Sequence, residues 1–109
     1  MSDSYKTIMY DVSKGIAAIT LNRPPVNVID EAMTLEYFDA LDRADGDNSV
    51  KVIVLSGSGK GLSAGVDIRY LEEFGADEMA RFLEIFYVEQ VERVRGLSKP
   101  IIASVHGFA

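Results

Sequence analysis

A chain of 109 residues, 48% of them hydrophobic, suits one domain or part of one, with enough apolar material for a packed core. Its formal net charge of -6 disfavours nucleic acid as a partner, because phosphate binding needs clustered Lys and Arg. The lack of cysteine excludes disulfides, thiolate metal sites and thiol nucleophiles, and no apolar run approaches the roughly 20 residues of a membrane helix.

The first twelve residues, MSDSYKTIMYDV, hold no apolar signal core, so a cytoplasmic protein with no membrane partner is the expectation. Thr7 to Val12 and Ile16 to Leu21 are short β-prone runs. The turn signal Ser13-Lys14-Gly15 between them predicts a hairpin. Asn22-Arg23-Pro24-Pro25 ends the second strand, since consecutive prolines cannot donate to a ladder and force an extended path. Asp30 is a good N-cap. The spacing of Met33, Tyr37, Leu41 and Ala44 predicts a helix with one apolar stripe, which Leu35 and Phe38 widen. Glu31, Glu36, Asp39 and Asp42 form its wet side, and Asp45-Gly46-Asp47-Asn48 stops it.

About Val50 to Gly57 a strand follows, whose four consecutive apolar residues, Val52 to Leu55, predict burial on both faces in a parallel or mixed sheet. It breaks into a tract holding Gly57, Gly59, Gly61 and Gly65. Asp67 to Phe74 then reads as a short helix, and a long helix runs from Ala76 or Asp77 to about Leu97. Met79, Leu83, Phe86, Val91, Val94 and Leu97 mark the expected buried face of the long helix. Ser98-Lys99-Pro100 breaks it, and Ile101 to Val105 reads as another buried-type strand. The order β-β-α-β-α-α-β indicates an α/β layered fold. Ending on such a strand with nothing to cover it suggests the front part of a longer domain.

A strand that opens through glycines into a helix start is a common way to build a small-molecule site. Glycines let backbone amides approach a ligand, and a helix start offers unpaired amides that favour an oxyanion or phosphate. The tract matches neither the P-loop nor the dinucleotide fingerprint. Ser63 lacks the GxSxG surroundings of a nucleophile elbow and reads better as a cap or turn former. His106, the one histidine, reads as a packed or hydrogen-bonded structural residue. Asp67 at a helix start suggests capping before chemistry.

The stretch Gly59-Lys60-Gly61-Leu62-Ser63-Ala64-Gly65-Val66-Asp67-Ile68 resembles the crotonase superfamily, the enoyl-CoA hydratase/isomerase group, whose pattern there is approximately GKAFSAGADL. Two more stretches agree in order and spacing. Asn22 to Val28 is similar to the family's NRP…NA segment, and Lys99 to Ala109 to its KPVIAAVNGYA segment, with His106 in place of Asn. The resemblance implies a ClpP/crotonase-like spiral of β-β-α turns, incomplete here, with residues 1–109 as the N-terminal part of the domain. It also implies a homo-oligomer, trimer or hexamer, and an acyl-CoA thioester as substrate with no separate cofactor or metal.

In the family two backbone N–H groups hold the thioester oxygen as it gains enolate charge. The residue before the motif's Asp is the first donor, here Val66. A donor aimed at developing charge favours the transition state over the ground state. By the same resemblance Arg23, Val26, Ala64, Asp67 and Ile68 are candidates for lining the CoA or acyl site. The second donor, in a GGG stretch, and the hydratase glutamates would fall beyond Ala109. The resemblance implies hydration of a 2,3-unsaturated acyl-CoA as the parent reaction, and with those groups beyond Ala109 the 109 residues are expected to be inactive alone. An isomerase, a hydrolase or a cyclic dienoyl-CoA hydratase are the neighbouring chemistries. A non-catalytic acyl-CoA-binding or interaction module and an unrelated nucleotide binder are the rivals from other classes.

Overall fold

Lys14 and Gly15 take positive φ values of 53° and 81°. A two-residue connection of that hand matches the twist of the strands it joins. It links β1 (Ile8–Ser13) to β2 (Ile16–Leu21) as an antiparallel hairpin, with Ile8 opposite Leu21 and Ser13 opposite Ile16. The structure, a computed structural model, describes residues 5–109; the part of the signal-core reading that concerns residues 1–4 lies outside them.

Helix α1 (Glu31–Gly46) starts where expected: the Asp30 side chain accepts the Met33 N–H at 3.0 Å. It ends at the polar cluster, where the Asp47 N–H closes back on Ala44 O. α1 crosses over to β3 (Val52–Gly57), which runs parallel to β2 with Ala17 opposite Ile53. After the glycine tract come α2 (Ile68–Leu71), α3 (Ala76–Leu83), a π-helical turn (Glu84–Glu89) and α4 (Gln90–Arg95). β4 (Ile101–Ala103) then pairs parallel to β3, with Ile53 opposite Ile101. The sheet order is β1-β2-β3-β4. This mixed sheet with helical crossovers is the α/β layered arrangement that the element order indicates.

The core lies between one face of the sheet and α1. Because strand side chains alternate, Ile8, Ala17, Ile19, Leu21 and Ile53 share that face. They pack with Met33, Tyr37, Phe38, Leu41 and Ala44 of α1. Among the described residues nothing covers the other face: Met9, Ile16 and Ile102 are exposed, and Val52 and Val54 only half-buried. The expected burial of β3 on both faces is thus corrected to one, with Ile53 its single buried residue. β4 is corrected likewise, ending at Ala103 with Ile102 and Val105 each 54% exposed.

The helices need two corrections. Leu35 is exposed, because it falls on the turn of α1 that faces away from the sheet. On the long helix Phe82 and Ile85 are buried, while Leu83 and Val91 are exposed. For Val91 the cause is the π-helical turn, in which the Gln90 N–H reaches back five residues to Ile85 O; Leu83 precedes that turn. That widened turn shifts the phase of everything after it, so one 3.6-residue stripe cannot describe both ends.

Candidate functional site

The three stretches that carry the family resemblance converge on the glycine tract. Asn27 is the hub. It is buried to 1% exposure and holds φ 53°, a left-handed conformation that Asn adopts more readily than most residues. Its Oδ1 accepts the Arg23 N–H at 2.7 Å. Its Nδ2 faces Ser58 O at 3.0 Å, Leu62 O at 3.1 Å and Gly61 O at 3.4 Å. One side chain therefore satisfies backbone groups from two segments, which a buried loop requires. From the far end of the chain the His106 ring Nε2 contacts Gly59 O at 2.7 Å, and the Leu62 N–H is shared between His106 O and Phe108 O.

Ser63 is buried and donates from Oγ to Asn27 O at 2.6 Å, while accepting the Gly65 N–H at 3.0 Å. Its hydroxyl is occupied as a turn former, as the sequence indicates. His106 likewise makes a structural hydrogen bond. Gly65 has φ 103°, a conformation that a side chain would strain. Gly57 is needed for space, since a Cβ there would meet Leu62 O at 2.5 Å.

Val66 follows Gly65 and forms a single parallel bridge with Ile29. The Ile29 N–H donates to Gly65 O and the Asp67 N–H to Ile29 O, each at 2.8 Å. In a parallel ladder these bonds come from the residues flanking Val66, so the Val66 N–H points to the opposite side. The other candidates gather around this junction. Val26 O accepts the Ala64 N–H at 2.9 Å. Arg23 Nη2 lies 3.0 Å from Asp67 and 3.5 Å from Asp30, and Nη1 donates to Val28 O. Asp67 also caps α2 by accepting the Arg69 N–H. Arg23 and Asp67 thus tie the strand-to-helix turn to the segment before α1. Ile68 stands out at 74% exposure. α2 is a single turn of four residues whose first amides meet Asp67, so its dipole adds little to an oxyanion site.

Beside the tract is a cavity of about 170 Å³. Leu62 and Ser63 of the tract, Ile29, Met33 and Tyr37 around α1, and Phe86 and Gln90 of the long helix contribute to its wall, which is almost wholly apolar. None of the six candidate residues lines it; Ile29, the bridge partner of Val66, does. Burial raises the Tyr37 hydroxyl above its usual pKa, and the Gln90 amide beside it partly offsets this. Among the described residues no carboxylate contributes to the wall. Among the described residues no cluster of His, Asp or Glu is arranged to hold a metal, and no helix is long and apolar enough to cross a membrane.

Asn27, Phe86 and Gln90 were missed as site-forming residues. An Asn two residues after Pro-Pro, ahead of a helix cap, was a legible sign of a left-handed turn. The π-helical turn left no sign in the hydrophobic pattern.

Comparison with known proteins places the chain in a family. The chain is 32% identical over 98 residues to a probable enoyl-CoA hydratase of Bacillus subtilis, covering 90% of this chain and 38% of that protein. It is 33% identical over 106 residues to the 1,2-epoxyphenylacetyl-CoA isomerase of Escherichia coli, covering 94% and 40%. The crystal structure of a probable enoyl-CoA hydratase from Mycobacterium smegmatis superposes with a TM-score of 0.82 at 39% identity, over 93% of this chain and 41% of that one. The chain therefore spans about two fifths of the length of these relatives. The fold is that of the crotonase superfamily. The model of the enoyl-CoA hydratase/isomerase family matches residues 11–109, and the chain belongs to that family.

Proposed function

We propose that this chain supplies the acyl-thioester-binding portion of an enoyl-CoA hydratase, with the Val66 N–H as one donor to the thioester oxygen. The observation that carries this reading is the ladder at Ile29, which uses the Gly65 carbonyl and the Asp67 amide on either side of Val66 and turns the Val66 amide away. An amide held by a rigid bridge needs no reorganisation when the oxygen turns negative, and losing such a donor costs about 3 kcal/mol in other enzymes. Val in place of the family's usual Ala leaves this main-chain group intact.

Arg23 and Asp67 hold the turn, while Val26, Ala64 and Ile68 border the CoA or acyl group. CoA arrives as part of the substrate, and no other cofactor takes part. The parent reaction is hydration of a 2,3-unsaturated acyl-CoA in the cytoplasm. It needs an acid and a base near the thioester, and the apolar cavity wall offers neither. The 109 residues alone are accordingly expected to bind acyl-CoA without turning it over, and the working enzyme is a trimer or hexamer.

Acetoacetyl-CoA tests the donor, because it enolises readily and its enolate absorbs. Binding to the chain should strengthen the enolate band. Val66→Ala should keep that gain and Val66→Pro should lose it, with free CoA affinity equal in both. An equal enolate band in the two variants would show that another group holds the oxygen.

A further inference from the structure

The peptide unit that carries the Val66 N–H begins at the Gly65 carbonyl. A trans peptide is planar and sets its C=O and N–H in opposite directions, so whatever fixes the Gly65 carbonyl also aims the Val66 amide. The Ile29 N–H fixes that carbonyl at 2.8 Å. Gly65 itself holds φ 103°, and nothing stands where a Cβ would be. A glycine turns about its own backbone bonds at little cost unless neighbours confine it. The aim of the donor therefore depends on the hold on both peptide units that meet at Gly65.

The second hold comes from Ser63. Main-chain groups anchor the turn before and after Gly65: the Ala64 N–H donates to Val26 O at 2.9 Å, and the Asp67 N–H to Ile29 O at 2.8 Å. The peptide unit entering Gly65 is held instead by a side chain, because the Gly65 N–H donates to Ser63 Oγ at 3.0 Å. That oxygen is itself pinned. Its proton goes to Asn27 O at 2.6 Å, and the residue is 6% exposed. Asn27 is fixed in turn by its side-chain bonds to Arg23, Ser58 and Leu62. A run of hydrogen bonds thus leads from the buried Asn27 through the Ser63 hydroxyl to Gly65 and stops one residue short of Val66.

We propose that Ser63 is a positioning residue for the reaction, aiming the Val66 N–H at the thioester oxygen by holding the Gly65 peptide; this rests on the acyl-CoA reading above. Ser63 acts through Gly65 and carries no proton to or from the substrate, since both of its hydrogen bonds go to main-chain groups. Its effect falls on the state in which the oxygen is negative, where the alignment of a donor matters most. Binding of an acyl-CoA that stays uncharged at the carbonyl draws on the whole ligand and depends on this alignment far less.

Two ligands read these effects apart. Affinity for butyryl-CoA reports binding without enolate, and the enolate band of saturating acetoacetyl-CoA reports the donor. Ser63→Ala should weaken the band about tenfold, less than outright removal of a donor, and change butyryl-CoA affinity by no more than about twofold. Ser63→Cys keeps the bulk but offers only a weak donor and acceptor, so it should weaken the band too and serves if the Ala variant does not fold. Ser63→Thr restores the hydroxyl, places its extra methyl at the cavity that Ser63 borders, and should keep the band. Leu41→Ala, which loosens the core away from the tract, should also keep it. A full band in Ser63→Ala or Ser63→Cys, with Val66→Pro still losing it, would overturn the role of Ser63 and leave the Val66 donor standing. Equal loss in Leu41→Ala would overturn it as well, because the band would then follow stability and not aim. No gain in enolate on binding to the unaltered chain would overturn both readings.

Discussion

The helix α1 and the segment Ala76–Arg95 are comparable in length but are held in opposite ways. α1 buries seven residues against the sheet, Met33, Thr34, Tyr37, Phe38, Ala40, Leu41 and Ala44. The second segment buries only Phe82 and Ile85. It is attached through polar and aromatic contacts instead. Arg81 pairs with Glu31 at 3.0 Å, Arg93 with Asp42 at 3.0 Å, and the Arg93 guanidinium lies 4.6 Å from the centre of the Phe38 ring. Exposed pairs of this kind contribute about 0–1 kcal/mol each. The fold is therefore anchored through α1, and the long helix is the adjustable wall of the cavity. The same contrast separates the two faces of the sheet, one sealed by α1 and one open.

Substitutions can break or sharpen this contrast. The largest effect should come from Asn27→Ala, in the segment leading into α1. It strands the Arg23 N–H and the Ser58 and Leu62 carbonyls and leaves Ala in a left-handed conformation, costing about 4 kcal/mol in denaturant unfolding. Leu41→Ala, at the centre of α1, should cost about 3 kcal/mol by opening a cavity in the core. Lys99→Met should cost about 1 kcal/mol, because Nζ bonds Ala44 O and Asp47 O at the carbonyl end of α1. Val91→Ala on the exposed side of the long helix should change stability by no more than about 0.5 kcal/mol. A loss from Val91→Ala as large as that from Leu41→Ala would abolish the distinction between anchor and wall.

The gentlest test is a pH titration. Burial pushes the Glu36 carboxyl up, but hydrogen bonds from the Thr7 hydroxyl and the Lys6 and Thr7 amides outweigh it and leave its pKa below the usual 4.5. A carboxylate depressed in the folded state contributes stability that is fully present above 4.5. That contribution is lost as pH falls through the lower folded value. Glu36→Gln should therefore melt lower at neutral pH and lose less on acidification, so that the two curves converge. Parallel curves would show that this carboxyl does not hold β1 to α1.

The hairpin, the Asp30 cap and the α1 stripe were legible because each depends on local chemistry: a Lys-Gly turn, a short carboxylate, an apolar period. Burial of β3 was overread, because an unbroken apolar run shows what could be covered and not what is. The long helix was legible as a helix but not in its facing, since a π-helical turn leaves composition unchanged and moves phase. The proposed role of Val66 rests on resemblance. The ladder geometry around it depends on Ile29, a partner 37 positions away in a segment that forms no named strand, and no periodicity announces such a pairing.

The Asn27 amide has a consequence for how the molecule comes apart. One side chain supports both the Pro-Pro segment and the glycine tract, so the order of each is coupled to that of the other. Heating should release the two together as a single hinge-free block. A ligand that steadies Val66 should protect the amides of residues 23 and 27 from hydrogen exchange as strongly as those of the tract.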